Sequence, residues 1–268
     1  MVEAAADPVL RPPERGWGER AFDLLIWGGV AALLIASFGP AEVPKIGDLF
    51  TGGGNMRTLG AEFIRPNFTD WRLYVDNMWL TIQMALWGTA LAMTIAVPLG
   101  LAGARNVSPA WVQQPVRRLL DVLRSVPDLV IGAIFVVAVG LGPFAGVMAL
   151  AVNTGGVLGK LFSEAVEAID RGPVEGVKAT GAAPLQQIVW GVMPQVAPLW
   201  TSYALYRFES NARSATVLSL IGAGGIGQNL FDSINSFAFA QTSAIVIVII
   251  IAVSGIDLLS QLIRTRLL

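Results

Sequence analysis

Charged residues leave long gaps along this chain. None occurs in 77–104, 129–159, 179–206 or 233–256, and 24–41 and 214–231 are shorter gaps. A helix that crosses a bilayer needs ~20 mostly apolar residues. The pattern predicts an all-α polytopic membrane protein with about six transmembrane helices, over 21–39, 77–104, 119–141, 144–162, 196–220 and 242–262. Around these spans it predicts a tail over 1–20, an outer loop over 40–76, a core over 77–262 that includes a polar inner loop over 163–195, and a short tail over 263–268. The first tail is polar and broken by Pro8, Pro12 and Pro13. It lacks the basic start and apolar core of a cleaved signal, so a retained disordered tail is expected.

Two features within the spans stand out. Arg117, Asp121, Arg124 and Asp128 recur at i, i+4, i+7 and i+11 at the start of the third span. That spacing lines alternating charges along one helix face. Gly155 and Gly159 in the fourth span form a small-xxx-small pair, which lets helix backbones approach closely, either within the chain or between subunits.

Composition agrees with the span pattern. The chain of 268 residues is 54% hydrophobic and 14% charged, against roughly 25% charged in a soluble domain. There is no Cys and no His. A disulfide framework, an imidazole base, a Cys nucleophile and an ordinary zinc site are therefore excluded. The net charge of −1 gives no basic surface for nucleic acid. With the N-terminus inside, the inner segments hold 12 Lys and Arg and the outer ones hold 4. Positive residues favour the cytoplasmic side, so both termini are expected there.

Two segments imitate nucleotide motifs. Gly222, Gly224 and Gly227 satisfy G-x-G-x-x-G, but no acid stands about 20 residues on, as a dinucleotide fold requires. A flexible turn at the outer end of a helix is the better reading. The segment around Gly155, Gly159 and Lys160 resembles a P-loop without its first Gly and final Ser or Thr. The chain is not expected to hydrolyse ATP by itself.

The inner loop carries more. Pro173 can open a short helix, because its missing N–H is not needed there. Gly181 suits the left-handed position that ends one, and Pro184 can open the next. Two short helices joined at a glycine elbow result. Within the fifth span, Arg207, Glu209 and Arg213 are costly charges, and such residues usually serve function. Glu209 and Arg213 are spaced i, i+4 and can pair. Arg207 faces elsewhere and Asn211 adds an amide. Asp232, after the span, is a candidate counter-charge. A structural Glu–Arg pair and an anion pathway both fit this pattern.

The inner loop resembles that of the permeases of binding-protein-dependent ABC importers, whose loop reads E-A-A, three residues, G, nine residues, I-x-L-P. Glu175, Gly181 and Pro194 match at their spacing, while Gly176, Val177, Gly191 and Met193 depart from it. The segments 124–128, 139–146, 158–164, 206–213 and 221–227 are similar to the phosphonate branch of that family and follow its order.

The resemblance implies a type I importer permease fold and alternating access in a bacterial inner membrane, carrying phosphonate or a related oxyanion, phosphate or phosphite. It implies a second permease copy, two cytoplasmic ATPase subunits that hold the ATP and Mg, and an extracytoplasmic solute-binding protein. No cofactor, metal or catalytic residue is expected on this chain. Glu164, Glu167, Asp170, Arg171, Pro173, Glu175, Lys178, Gly181 and Pro194 would form the coupling surface. Arg207, Glu209, Asn211, Arg213, Gly222, Gly224, Gly225 and Gly227 would line the substrate pathway or gate. The main alternative is a secondary transporter that couples to ions through Glu209 and Asp257. An intramembrane enzyme is a third, limited without His to Ser, Thr and carboxylates.

Overall fold

The structure is a computed structural model that describes residues 16–51 and 53–267. The tail expected over 1–20 lies outside the described residues as far as position 15. The chain forms two units, 1–60 and 61–268. The first holds helix α1 (Trp17–Phe38), a 3-10 turn (Val43–Lys45), α2 (Ile46–Thr51) and most of α3 (Gly53–Phe63). α1 is long and apolar enough to cross a membrane, and none of its side chains is buried. The segment expected as an outer loop is therefore partly helical.

The second unit begins with α4 (Trp71–Gly103), which starts before the expected position 77. It continues through α5 (Ala110–Ser125), α6 (Asp128–Val139) and α7 (Pro143–Glu167). The short helices α8 (Arg171–Ala179) and α9 (Pro184–Gln187) follow, and a π turn (Ile188–Val192) leads without a break into α10 (Met193–Leu218). A 3-10 turn (Ser219–Ile221), α11 (Ile226–Asn235) and α12 (Phe239–Leu267) complete the chain.

The expected six spans become four, or five with a bent pair. Among the described residues α1, α4, α7 and α12 are long and apolar enough to cross a membrane. α10 is long enough, about 39 Å at ~1.5 Å per residue, but it is too polar to count as an apolar span, with Gln195, Arg207, Glu209, Asn211 and Arg213 along it. The expected third span is two helices, α5 and α6, bent by 90° at Val126 and Pro127. Proline supplies no N–H and pushes the residue before it out of the helical region, and Val126 is extended at ψ 125. The buried Asn153 of α7 donates to the Val126 carbonyl at 3.1 Å, satisfying a group the break sets free. The expected row of charges is cut accordingly. Asp128 opens α6, Arg117 pairs with Glu167 rather than Asp121, and Asp121 takes Arg124 at 3.2 Å, with Lys160 at 4.0 Å.

Packing centres on α7, where 61% of the most apolar stretch is buried, against 39% in α4 and 28% in α12. Lipid is as apolar as Leu, so close van der Waals contact, more than exclusion from water, must hold these helices. Glycine makes that contact possible. A Cβ on Gly88 or Gly100 of α4 would sit 2.7 Å from Leu150 Cβ or 2.6 Å from Phe162 Cβ of α7. The Gly155 and Gly159 pair works within the chain: the first faces Ile95 of α4, the second Leu120 of α5. Phe162 stacks on Trp200 of α10, centroids 4.4 Å apart.

The two ends of the bundle differ. At one, the α4 C-terminus, the α5 start and the α7 C-terminus meet: Arg105 N–H and the Arg117 guanidinium both donate to Glu167 Oε1. At the other, Asn77 of α4 reaches Asn229 of α11 at 2.6 Å, and Gly142 N–H donates to the Gly222 carbonyl at 3.0 Å.

Candidate functional site

The loop between α7 and α10 builds the first candidate surface. α8 begins earlier than expected, at Arg171, because the Asp170 carboxylate caps Gly172 N–H at 3.0 Å. Pro173 is thus the third residue of the helix, still among the first-turn positions whose N–H has no intrahelical partner. Gly181 ends the helix at φ +81, as the sequence indicated, and its N–H donates to the Lys178 carbonyl. Pro184 opens α9, where Gln186 Oε1 accepts from Ala183 N–H at 2.8 Å.

α8 turns Val174 and Val177 inward and leaves Arg171, Glu175 and Lys178 exposed. These three, with Asn106, Ile169 and Gln187, line a cleft of about 390 Å³. Gly191, a departure from the family pattern, has a structural reason: a Cβ there would lie 3.0 Å from Val174 Cα. Pro194 is the second residue of α10. Next to it, Gln195 accepts from Asp170 N–H at 3.1 Å and donates to the carbonyls of Asp170 and Gly191. It ties the start of α8 to the start of α10. Sequence reasoning missed Gln195, and its place beside Pro194 was the available signal. Glu164 is exposed, whereas Glu167 is turned inward to Arg117 and Arg105. Glu167 thus links the end of α7 to α5 while remaining partly exposed.

The second candidate site crosses the middle of the bundle. Asn211 of α10 is fully buried; its amide donates to Thr89 Oγ1 of α4 and its oxygen accepts from Thr154 Oγ1 of α7, both at 2.8 Å. Thr89 donates onward to the Ala85 carbonyl. One turn along α10, an Arg207 amino group lies 3.3 Å from Thr154 Oγ1, while its Nε is buried without a hydrogen-bond partner among the described residues. Asp128, at the start of α6, forms no ion pair with Arg207. Asp232 instead lines a cleft of about 170 Å³ with Asp70, Tyr74 and Asn229 at the α11 end.

Glu209 and Arg213 pair at 3.1 Å as expected, but they are not alone. Arg264 of α12 lies 3.4 Å from the other Glu209 oxygen, and Asp257 lies 3.6 Å from Arg213. Two acids and two bases cancel within this cluster. Both carboxylates needed for ion coupling therefore already face arginines. Arg207 stands outside the cluster.

The glycine turn is a packed structure rather than a flexible one. Gly222, Gly224 and Gly225 have φ of +92, +72 and +92. A Cβ on Gly225 would lie 2.5 Å from Thr81 Oγ1, and one on Gly227 would lie 1.9 Å from the Thr216 carbonyl. The Thr81 hydroxyl also accepts from Ile226 N–H at 3.0 Å. Among the described residues no group of three or more acids gathers as a metal site would require.

Known proteins place this architecture. The chain is 37% identical to a phosphite transport system permease protein of Stutzerimonas stutzeri, over 96% of this chain and 92% of that one. It is 42% identical to a phosphate-import permease protein of Mycolicibacterium smegmatis, over 91% of this chain and 45% of that one. A putative cryptic phosphonate transport system permease protein of Escherichia coli is 59% identical over 44% of this chain and 96% of its own length. In fold, a chain of the inward-facing MetNI methionine ABC transporter superposes with a TM-score of 0.66 at 20% identity, covering 75% of this chain and 99% of that one. The profile of the binding-protein-dependent transport system inner membrane components matches residues 96–267, well over half the chain, and the chain belongs to that family.

Proposed function

We propose that this chain is the permease of an ATP-driven importer for a phosphorus oxyanion, phosphonate, phosphate or phosphite, and that the anion passes Arg207. The carrying observation is the charge balance of α10. Glu209, Arg213, Asp257 and Arg264 cancel, which leaves Arg207 as a half-buried cation whose Nε has no hydrogen-bond partner among the described residues. A guanidinium offers a fork of donors that matches tetrahedral oxyanions, and relatives bear the names of phosphite and phosphate systems. The Thr154, Asn211 and Thr89 chain fixes the wall beside it.

ATP and Mg would sit on two cytoplasmic ATPase subunits, an extracytoplasmic binding protein would select the substrate, and a second copy of this chain would complete the pathway. Both termini would face the cytoplasm, as the basic asymmetry favours. The exposed Arg171, Glu175 and Lys178 of α8 would dock on the ATPase, with Glu164, Asp170, Pro173, Gly181 and Pro194 shaping that surface. Glu167 would tie α7 to α5 so that a push on α8 reaches the bundle. The glycine turn from Gly222 to Gly227 would form a rigid outer wall. Purification tests the assembly: the chain should bring down an ATP-hydrolysing subunit and support uptake of phosphate, phosphite or phosphonate. Uptake without any ATPase would refute it.

A further inference from the structure

The hydrogen bonds that start at Arg207 can run in one sense only. The Ala85 carbonyl of α4 is an acceptor, so the Thr89 hydroxyl, 2.7 Å away, must give it its single proton. Thr89 Oγ1 can then only accept, which turns the Asn211 amide nitrogen toward it and the Asn211 oxygen toward α7. A reversed amide would set its oxygen against the Thr89 oxygen with no proton between them. The Asn211 oxygen takes the Thr154 proton at 2.8 Å. Thr154 Oγ1 is left with lone pairs alone, and these face an Arg207 amino group at 3.3 Å. A donor-only group at one end and an acceptor-only group at the other thus fix every proton between them. Thr89, Thr154 and Asn211 are all buried, where an unmet polar group is costly.

We propose that Thr154, oriented by Asn211, is a positioning residue for Arg207: it tethers one amino group of the guanidinium to α7 and so presets the remaining donors for the arriving phosphorus oxyanion. The proposal rests on the reading that the anion passes Arg207. A free arginine side chain has several rotatable bonds, and it must give up that freedom each time it grips an anion. A tether removes that cost in advance. The guanidinium carries five N–H donors in one plane. One bond to Thr154 fixes the plane and leaves the other donors, among them the Nε that has no hydrogen-bond partner among the described residues. Thr154 does not compete for the anion as a donor, because its proton is committed to Asn211. Helix packing holds the relay in register. A Cβ on Gly88, next to Thr89, would lie 2.7 Å from Leu150 Cβ of α7, and Gly155, next to Thr154, faces Ile95 of α4. Arg207 and Asn211 are i, i+4 on α10, so the cation and the amide that orients its tether share one helix face.

The test is a double-mutant cycle in cells that carry the complete transport system, with this chain as its only permease. Initial uptake of labelled inorganic phosphate, per assembled complex, is measured for the wild type, Thr154→Val, Arg207→Ala and the double variant. Valine keeps the shape of threonine and lacks its oxygen. Thr154→Val should slow uptake roughly threefold to tenfold when Arg207 is present. Where Arg207 is already Ala, the same change should alter uptake by less than about twofold, because the tether has nothing left to hold. Thr154→Ser, which keeps the hydroxyl, should retain wild-type uptake. Equal losses in both backgrounds, no loss in either, or a Thr154→Ser variant as slow as Thr154→Val would make Thr154 a packing residue and overturn the proposal. If Thr154→Val does not assemble, Thr154→Ala removes the same oxygen without added bulk and replaces it in the cycle; failure of both to assemble would also overturn the proposal. Arg207→Ala separates the two ideas: normal uptake there removes the pathway reading itself, whereas slow uptake with an undiminished Thr154→Val effect removes only the role of Thr154.

Discussion

Arg207 and Glu209 are separated by one residue on α10 yet lie in different electrostatic surroundings. Glu209 is held by Arg213 at 3.1 Å and by Arg264 at 3.4 Å. Arg207 has a hydroxyl contact at Thr154 and a buried Nε without a hydrogen-bond partner among the described residues. Neighbours two apart on a helix point to different faces, so one helix presents a neutral clamp to α12 and a cation to the α6 and α7 side. The clamp fixes α10; the cation is the chemically available group.

The clamp predicts unequal effects of its members. Arg213 is about half exposed and Arg264 remains to hold Glu209, but Asp257 loses its arginine, so Arg213→Ala should cost about 1–2 kcal/mol. Glu209→Ala removes the most buried member and leaves Arg264 without an acid while Arg213 keeps Asp257, so it should cost more, roughly 2–4 kcal/mol. Thermal unfolding of the purified chain in detergent reads both. Equal losses would mean that Arg264 does not share the load. The sequence spacing alone, which shows only Arg213, would assign Arg213→Ala the full cost of stranding Glu209.

The glycine turn should behave as packed wall. Gly227→Ala places a Cβ on the Thr216 carbonyl, at 1.9 Å before relaxation, and should reduce assembled protein severely. Gly224→Ala meets nothing closer than 3.5 Å and carries only the strain of φ +72, about 1–2 kcal/mol. Assembly yields by size exclusion distinguish them. Similar yields for the two variants would return the turn to a flexible state.

Much of this was legible in the sequence. The charge-free gaps located α1, α4, α7 and α12, because desolvating a charge in lipid is costly enough to pattern a chain. Gly181 and Pro184 marked the elbow, since each has one dominant backbone use. The break at Val126 and Pro127 was hidden. A single proline inside an apolar run can kink a helix slightly or stop it, and the carbonyl donor that stabilises the stop, Asn153, is distant in sequence. Arg264 and Thr154 were hidden for the same reason. Their partners lie on other helices, and nothing local marks them. The Arg117 partner of Glu167 was hidden likewise, since it reaches the acid from α5.

The coupling surface predicts a specific uncoupling. Gly181 sits at φ +81, where a proline ring locked near −65° cannot go. Gly181→Pro should let the complex hydrolyse ATP while uptake per ATP falls roughly tenfold, and Gly181→Asn, which tolerates the left-handed region, should retain coupling. Glu175→Arg, which reverses an exposed charge of α8, should uncouple without loss of the fold. Wild-type uptake per ATP in both Gly181→Pro and Glu175→Arg would take α8 out of the mechanism.

Orientation can be read directly, because the chain has no Cys. Ser236, exposed after α11, and Lys178, exposed on α8, lie at opposite ends of the bundle. In intact cells an impermeant thiol reagent should label Ser236→Cys and spare Lys178→Cys until the membrane is opened. The reverse pattern would invert the topology.

Arg207 is the most direct test of the whole account. A hydrogen bond to a charged group is worth ~1.5–3 kcal/mol, so Arg207→Ala should slow uptake of phosphate, phosphite or phosphonate by roughly tenfold to a hundredfold. The assembled complex should persist at normal levels, because Arg207 lies outside the clamp. Initial uptake rate per assembled complex is the measurement. A rate equal to the wild-type value would contradict the account, since the cation that α10 leaves unmatched would then have no part in moving the anion.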